Sequence, residues 1–169
     1  DRENFRVISG SVHYWRTRPE EWRSVLESSK RMGVNTITFY IGWWLHETTE
    51  GSYDFSSPQL DVVKFVHTIR EVGLLAICRV GPYITAEVDW GGFPWWMVNH
   101  NLTVRSSDPA YLALVDRWFD QVIPMLASLE YSKGGPIIDW QVEDDPLPYE
   151  TAYYGYLRDG LRRRGVTGL

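Results

Sequence analysis

Three times in this chain a helix-like stretch ends in glycine and runs straight into an apolar residue: Met32-Gly33-Val34, Val72-Gly73-Leu74 and Arg164-Gly165-Val166. Glycine tolerates the left-handed backbone that closes a helix, and the apolar residue after it opens a buried strand. Such junctions bring a chain back to a parallel sheet, whose neighbouring strands need helical crossovers between them. The repeat restricts the chain to alternating β and α units, either a (β/α) barrel or an open doubly wound sheet.

The strands are expected over Arg6 to His13, Val34 to Ile41, Leu74 to Cys78 and on into Arg79, and Pro136 to Val142. The third ends at Gly81-Pro82, because proline lacks the N–H that a ladder needs. Helices are expected from Pro19-Glu20-Glu21 to Gly33, from Pro58 to Val72, from the N-cap Asp108 with Pro109 through Leu129, and from Glu150 to Arg164. Proline suits a first helical turn, whereas Pro124 should kink the third helix or end its first part. The barrel is favoured because polar and aromatic residues gather after the carboxyl end of every strand, where barrel active sites are assembled. No phosphate loop or dinucleotide fingerprint supports the alternative. The fold class expected is α/β, of the (β/α) TIM-barrel type, with only about the first four βα units present. Residues 1–169 are expected to form a single, apparently incomplete barrel domain, with a fifth strand due from Val166.

Composition excludes several classes of function. A net charge of −5 argues against nucleic acid, whose protein partners carry basic surfaces. No apolar run reaches membrane-spanning length, and Asp1-Arg2-Glu3 reads as entry into a folded domain rather than as a signal peptide. Cys78 is the single cysteine and sits in an apolar strand, so a buried thiol is expected and no intrachain disulfide. His13, His46, His67 and His100 are too scattered for a metal site; no cofactor is expected. Asn101-Leu102-Thr103 is a glycosylation sequon.

The chemistry points elsewhere. Aromatic residues make up 15% of the chain, and Trp90, Trp95 and Trp96 crowd the long stretch after the third strand. They offer flat faces to a sugar's C–H surface, the alternative being that they are core. Carboxylates follow three strand ends: Glu47, Glu87 and the run Glu143-Asp144-Asp145. A glycosidase needs one carboxylic acid to protonate the leaving oxygen and a second carboxylate as nucleophile or base.

Four segments carry a specific resemblance: Ser9-Gly10-Ser11-Val12-His13-Tyr14, Tyr40 through Glu47, Gly81 to Pro94, and Lys133 to Glu143. Together, and in this order, they resemble the first half of the catalytic barrel of glycoside hydrolase family 35, the β-galactosidases. The resemblance implies a retaining mechanism on terminal β-linked galactose. It places sugar contacts at Tyr40, Ala86, Glu87, Glu143 and Asp144, and the acid/base at Asp145. Family members are commonly lysosomal, vacuolar or secreted.

The departures fall at the centre of the chemistry. Where the family reads Glu-Asn-Glu-Tyr-Gly, this chain reads Glu143-Asp144-Asp145-Pro146-Leu147. Asp144, ionised, only accepts hydrogen bonds. Asp145 is one methylene shorter than the family's glutamate, and Pro146 stiffens the turn beside it. The family's nucleophile lies on a later strand. Three readings follow: a divergent β-galactosidase-like hydrolase, a non-catalytic galactoside-binding module, or the inactive product of a truncated reading frame. An open half barrel is further expected to leave Ile37, Phe39, Ile77 and Ile138 partly uncovered and so to self-associate.

Overall fold

The computed structural model describes residues 5–145, 147 and 150–168. Among them, four parallel strands lie in chain order: β1 (Ser9–Ser11), β2 (Thr36–Tyr40), β3 (Leu75–Gly81) and β4 (Ile137–Val142). The helices are α1 (Trp22–Arg31), the short α2 (Trp43–His46), α3 (Val62–Val72), α4 (Pro109–Ala127) and α5 (Thr151–Arg163). The expected βα alternation is present. Gly33, Gly73 and Gly165 all take positive φ at the helix-to-strand returns.

The boundaries shifted for local reasons. β1 is shorter than Arg6 to His13 because it is an edge strand, and the backbone N–H of Ile8 bonds the Asn35 side chain instead of a ladder carbonyl. The helix expected from Pro58 divides at Asp61, whose carboxylate caps α3 by accepting from the Lys64 N–H at 2.9 Å. α4 runs past Pro124 to Ala127, held by the burial of Val122, Ile123 and Leu126 on its inner face. α2 was not foreseen; it sits inside the expected loop from Gly42 to Ser57. Pro146 lies outside the described residues, as do Asp1-Arg2-Glu3.

Strand register sorts the side chains into two faces. Ile37 and Ala76 stand level with Ile137, and Phe39 and Cys78 with Trp140. All six are buried under the helices, and Cys78 is the buried free thiol expected. The opposite face carries the row Ser11, Thr38, Ile77, Asp139 and, above it, Tyr40, Arg79, Gln141. This corrects the expectation for the open face: Ile37 and Phe39 belong to the core, and Ile138 is the extra residue at a bulge between β3 and β4. The uncovered face is mostly polar, and of the four residues expected there Ile77 and Ile138 are partly exposed, so the apolar patch is smaller than expected.

Candidate active site

The carboxyl ends of the strands converge on a recess of about 500 Å³ lined by His13, Arg16, Tyr40, Ala86, Glu87 and Asp144. Four of the six expected site residues are thus brought together. Tyr40 ends β2 and Arg79 lies level with it on β3, so the guanidinium sits 4.3 Å from the tyrosine ring centre and donates to its hydroxyl. The other end of the same guanidinium pairs with Asp144 at 2.5 Å. The half-buried charge at Asp144 is thereby matched by a cation on the neighbouring strand.

The loop after β3 delivers Ala86 and Glu87 in an unusual backbone. Thr85, Ala86 and Glu87 have φ of 56, 46 and 50°, three consecutive non-glycine residues in the left-handed region. Each costs on the order of 1–3 kcal/mol, and such strain is held in place at functional sites by surrounding contacts. Here Arg16 supplies them: it donates to the Ala86 carbonyl and lies 3.5 Å from the Glu87 carboxylate. Thr85 Oγ1 donates to Asp145 at 3.2 Å, tying this turn to the end of β4. Glu87 is largely exposed, on the rim of the recess.

Glu143 is placed differently. It is 3% exposed and its oxygens are taken by protein donors: Tyr153 Oη at 2.6 Å, Tyr83 N at 3.2 Å and Arg105 Nε at 2.9 Å. Burial pushes its carboxyl above the usual range, and those donors act against the shift. Arg105 also donates to the carbonyls of Asp144 and Asp145, each at 2.6 Å, and its guanidinium lies 3.8 Å from the Tyr83 ring centre. One side chain from the far end of the β3 loop therefore grips the whole turn that carries Asp144 and Asp145.

His13 stacks on Trp15 and meets Tyr40 edge-on, at ring-centre distances of 5.0 and 4.8 Å. Burial, then the charges of Arg16 and Arg79, lower its pKa to about 4, so the imidazole is neutral near pH 7. Its Nδ1 and the Nε of Arg79 are buried without a hydrogen-bond partner among the described residues. Unspent donors and acceptors beside a recess are what a polar ligand would complete.

Two sequence candidates are structural instead. Glu47 is fully buried and bonds Trp43 Nε1, Gly51 N and Arg117, away from the recess. Trp96 is 4% exposed, with its indole donating to the Glu47 carbonyl at 2.8 Å, so of the three tryptophans it belongs to the core. His67 is exposed on α3. Sequence reasoning assigned no role to Arg79, Arg16 or Arg105. Alternation along β3 could have put Arg79 on the Tyr40 face, whereas Arg105 carries no local signal.

The family model of the glycosyl hydrolases family 35 matches residues 1–167. Relatives include a β-galactosidase of Canis lupus familiaris, 46% identical over 94% of this chain and 24% of its own length. Another is the β-galactosidase-1-like protein 3 of Mus musculus, 39% identical over 98% of this chain and 26% of its own. The chain thus spans about a quarter of the length of the curated relatives it matches. Among solved structures, the exo-β-1,4-mannosidase Op5Man5 from Opitutaceae bacterium strain TAV5 superposes with a TM-score of 0.72 at 15% identity, covering 94% of this chain and 30% of that one. A β-galactosidase from the haloarchaeon Halorubrum lacusprofundi gives 0.60 at 16%, covering 85% and 22%. At these identities the likeness shows the fold, the TIM-barrel type.

Proposed function

Because this chain belongs to family 35 of the glycosyl hydrolases, we propose that it carries the galactose-recognising half of a retaining β-galactosidase site. The observation that carries the reading is the Thr85–Asp145 contact at 3.2 Å, which joins the strained Thr85-Ala86-Glu87 turn to the acidic end of β4 above Tyr40. In this reading Glu87 and Asp144 accept hydroxyl hydrogen bonds from a terminal β-linked galactose, and Tyr40, whose hydroxyl already accepts from Arg79, donates. Glu143 serves indirectly, by fixing the turn from beneath. Asp145 protonates the departing glycosidic oxygen and then, as carboxylate, takes a proton from the water that releases the sugar. The nucleophile is a carboxylate from a strand later than the four described. A non-catalytic galactoside-binding module is the second reading, favoured by the short reach of Asp145.

Two results test these roles. Glu87→Gln should weaken galactose binding to the chain by about 1.5–3 kcal/mol, the scale of a charge-assisted hydrogen bond, with the fold unchanged because the side chain is on the rim. Calorimetry reads the difference, and equal affinities in a folded variant would remove Glu87 from the site. Hydrolysis is tested on residues 1–169 grafted onto the missing part of an active relative. Asp145→Glu should raise turnover of unactivated galactosides by about 10²-fold, since an ångström of misplacement costs about that much. Pairing it with Asp144→Asn should add to the gain. Substrates with good leaving groups need little proton assistance and should respond less. Full activity that survives Asp145→Ala would show that another group is the acid. Sugar binding with no turnover even in the Asp145→Glu graft would favour the binding module.

A further inference from the structure

The glycosylation sequon Asn101-Leu102-Thr103 takes no part in the galactoside reading. It lies in the connection between the helical turn Trp95–Asn99 and α4. Burial alternates along it: Asn101 and Thr103 are exposed, while Leu102 and Val104 are partly buried and pack against the core. The alternation leaves the Asn101 amide and the Thr103 hydroxyl, the two groups that define a sequon, both on the solvent side.

The flanks are fixed by bonds that spare both side chains. Before the sequon, Trp95 donates its indole N–H to the Thr48 carbonyl at 3.2 Å, and the His100 ring lies 2.9 Å from the Glu50 carboxylate. After it, the Thr103 N–H donates to the Asp108 carboxylate at 2.6 Å, and the Thr103 carbonyl accepts from the Ser106 hydroxyl at 2.7 Å. Asp108 in turn caps α4 through the Ala110 N–H at 2.9 Å. Among the described residues, neither the Asn101 amide nor the Thr103 hydroxyl has a hydrogen-bond partner. Asn35 is the contrast: its amide accepts from the Ile8 N–H at 2.9 Å and donates to the Arg6 carbonyl at 2.8 Å, so that side chain is committed to the fold. A bulky, hydrated group on Asn101 breaks no bond of the fold. Asn101 is also not among the residues lining the recess that holds Tyr40, Glu87 and Asp144.

We propose that Asn101 is a site of N-linked glycosylation, modified by a transferase whose co-substrate is a lipid-pyrophosphate-linked oligosaccharide. Asn101 Nδ2 forms a bond to the anomeric carbon of the first sugar, and the bond from that carbon to the pyrophosphate oxygen breaks. Nδ2 loses one proton to a base of the transferase, and the lipid pyrophosphate leaves with the electron pair. No oxidant or reductant is consumed. The modification places the protein in the compartment where that transfer occurs, and it leaves the recess at the strand ends open. It is independent of the galactoside reading, which uses none of the three sequon residues.

The protein purified from its native source is the first sample. Trypsin releases residues 80–105 as one peptide carrying the sequon. That peptide is expected to arrive as a series of glycopeptides. An amidase that removes N-linked glycans in heavy-oxygen water should then leave a labelled aspartate at position 101 in most molecules. In the full-length protein expressed through a secretory host, Asn101→Gln and Thr103→Ala should each abolish modification of this peptide, and Thr103→Ser should retain part of it. Thr103→Ala keeps Asn101 itself and the backbone bonds to Asp108 and Ser106, so its loss of glycan reads sequon recognition rather than folding. An unmodified peptide from the native protein, or a glycan on Asn101 that persists in Thr103→Ala, overturns the proposal.

Discussion

Arg105→Ala is expected to destabilise the chain by about 3–5 kcal/mol at neutral pH, the cost of leaving a buried charge without its partner. The carboxylate of Glu143 is 2% exposed and the guanidinium 14%. The same substitution frees the carbonyls of Asp144 and Asp145. It also releases three left-handed residues, Arg105, Glu143 and Asp145, with φ of 56, 57 and 50°. Lysine in place of Arg105 keeps the charge but not the fork that reaches a carboxylate and two carbonyls together, so it should recover only part of the loss. Glu143 supplies the decisive control. Burial already raises its pKa, and removing Arg105 raises it further. A carboxyl whose folded pKa lies above its unfolded value favours the folded state at low pH and loses that contribution as pH rises through the folded pKa. The deficit of Arg105→Ala should therefore shrink on acidification below the ordinary glutamate range and be full above Glu143's raised pKa. Urea unfolding at several pH values measures it; a deficit under 1 kcal/mol at pH 7 would mean the grip on this turn lies elsewhere.

Much of this architecture was legible because its determinants are local. Glycine after α1, α3 and α5, Asp108 as the cap of α4, and β-branched runs for β2 and β4 act within a few residues, so the sequence displays them directly. The inner face of the sheet was legible too, in principle. Thr36-Ile37-Thr38-Phe39-Tyr40 alternates polar and apolar residues, and a strand whose apolar set meets the helices must turn its threonines inward. Expecting a uniformly apolar barrel interior placed Ile37 and Phe39 on the wrong side. Among the candidate site residues, Tyr40 and Ala86 were reached through resemblance and Glu87 and Asp144 also as carboxylates past strand ends; burial then separated them from Glu143 and Glu47, which no spacing could do. Arg79 and Arg105 find their carboxylate partners 65 and 38 residues away. Such pairings exist only once the sheet has brought two loops together.

Acid should weaken the fold through His46, which holds together the strand ends beneath the site. The ring is 1% exposed, stacked 4.3 Å from Phe55. Its Nδ1 lies 2.6 Å from the Asp54 carbonyl, which can only accept, so Nδ1 carries the proton. Nε2 is then the acceptor, and the Tyr14 hydroxyl donates to it at 2.6 Å while itself receiving the Gly42 N–H at 3.3 Å. This chain of bonds links the turn after β1 to the residue that follows β2, two places beyond Tyr40. Burial lowers the His46 pKa from 6.5 to about 4, against the opposing pull of Asp54. The sign follows from linkage: between those values the unfolded chain binds a proton that the folded one refuses. Stability is thus fully present above pH 6.5, falls as pH drops toward 4, and is lower by about 3 kcal/mol once both states are protonated. His13, also lowered to about 4, acts in the same direction, with solvent screening reducing its share. The His46 ring should titrate in the folded chain with a midpoint near 4, followed by its own proton resonances. Unfolding free energies of His46→Asn should decline less than the wild type's between pH 6.5 and 5, keeping the smaller share that His13 contributes. A His46 midpoint near 6.5, or parallel pH profiles for the two proteins, would show that the buried imidazole is not what acid attacks.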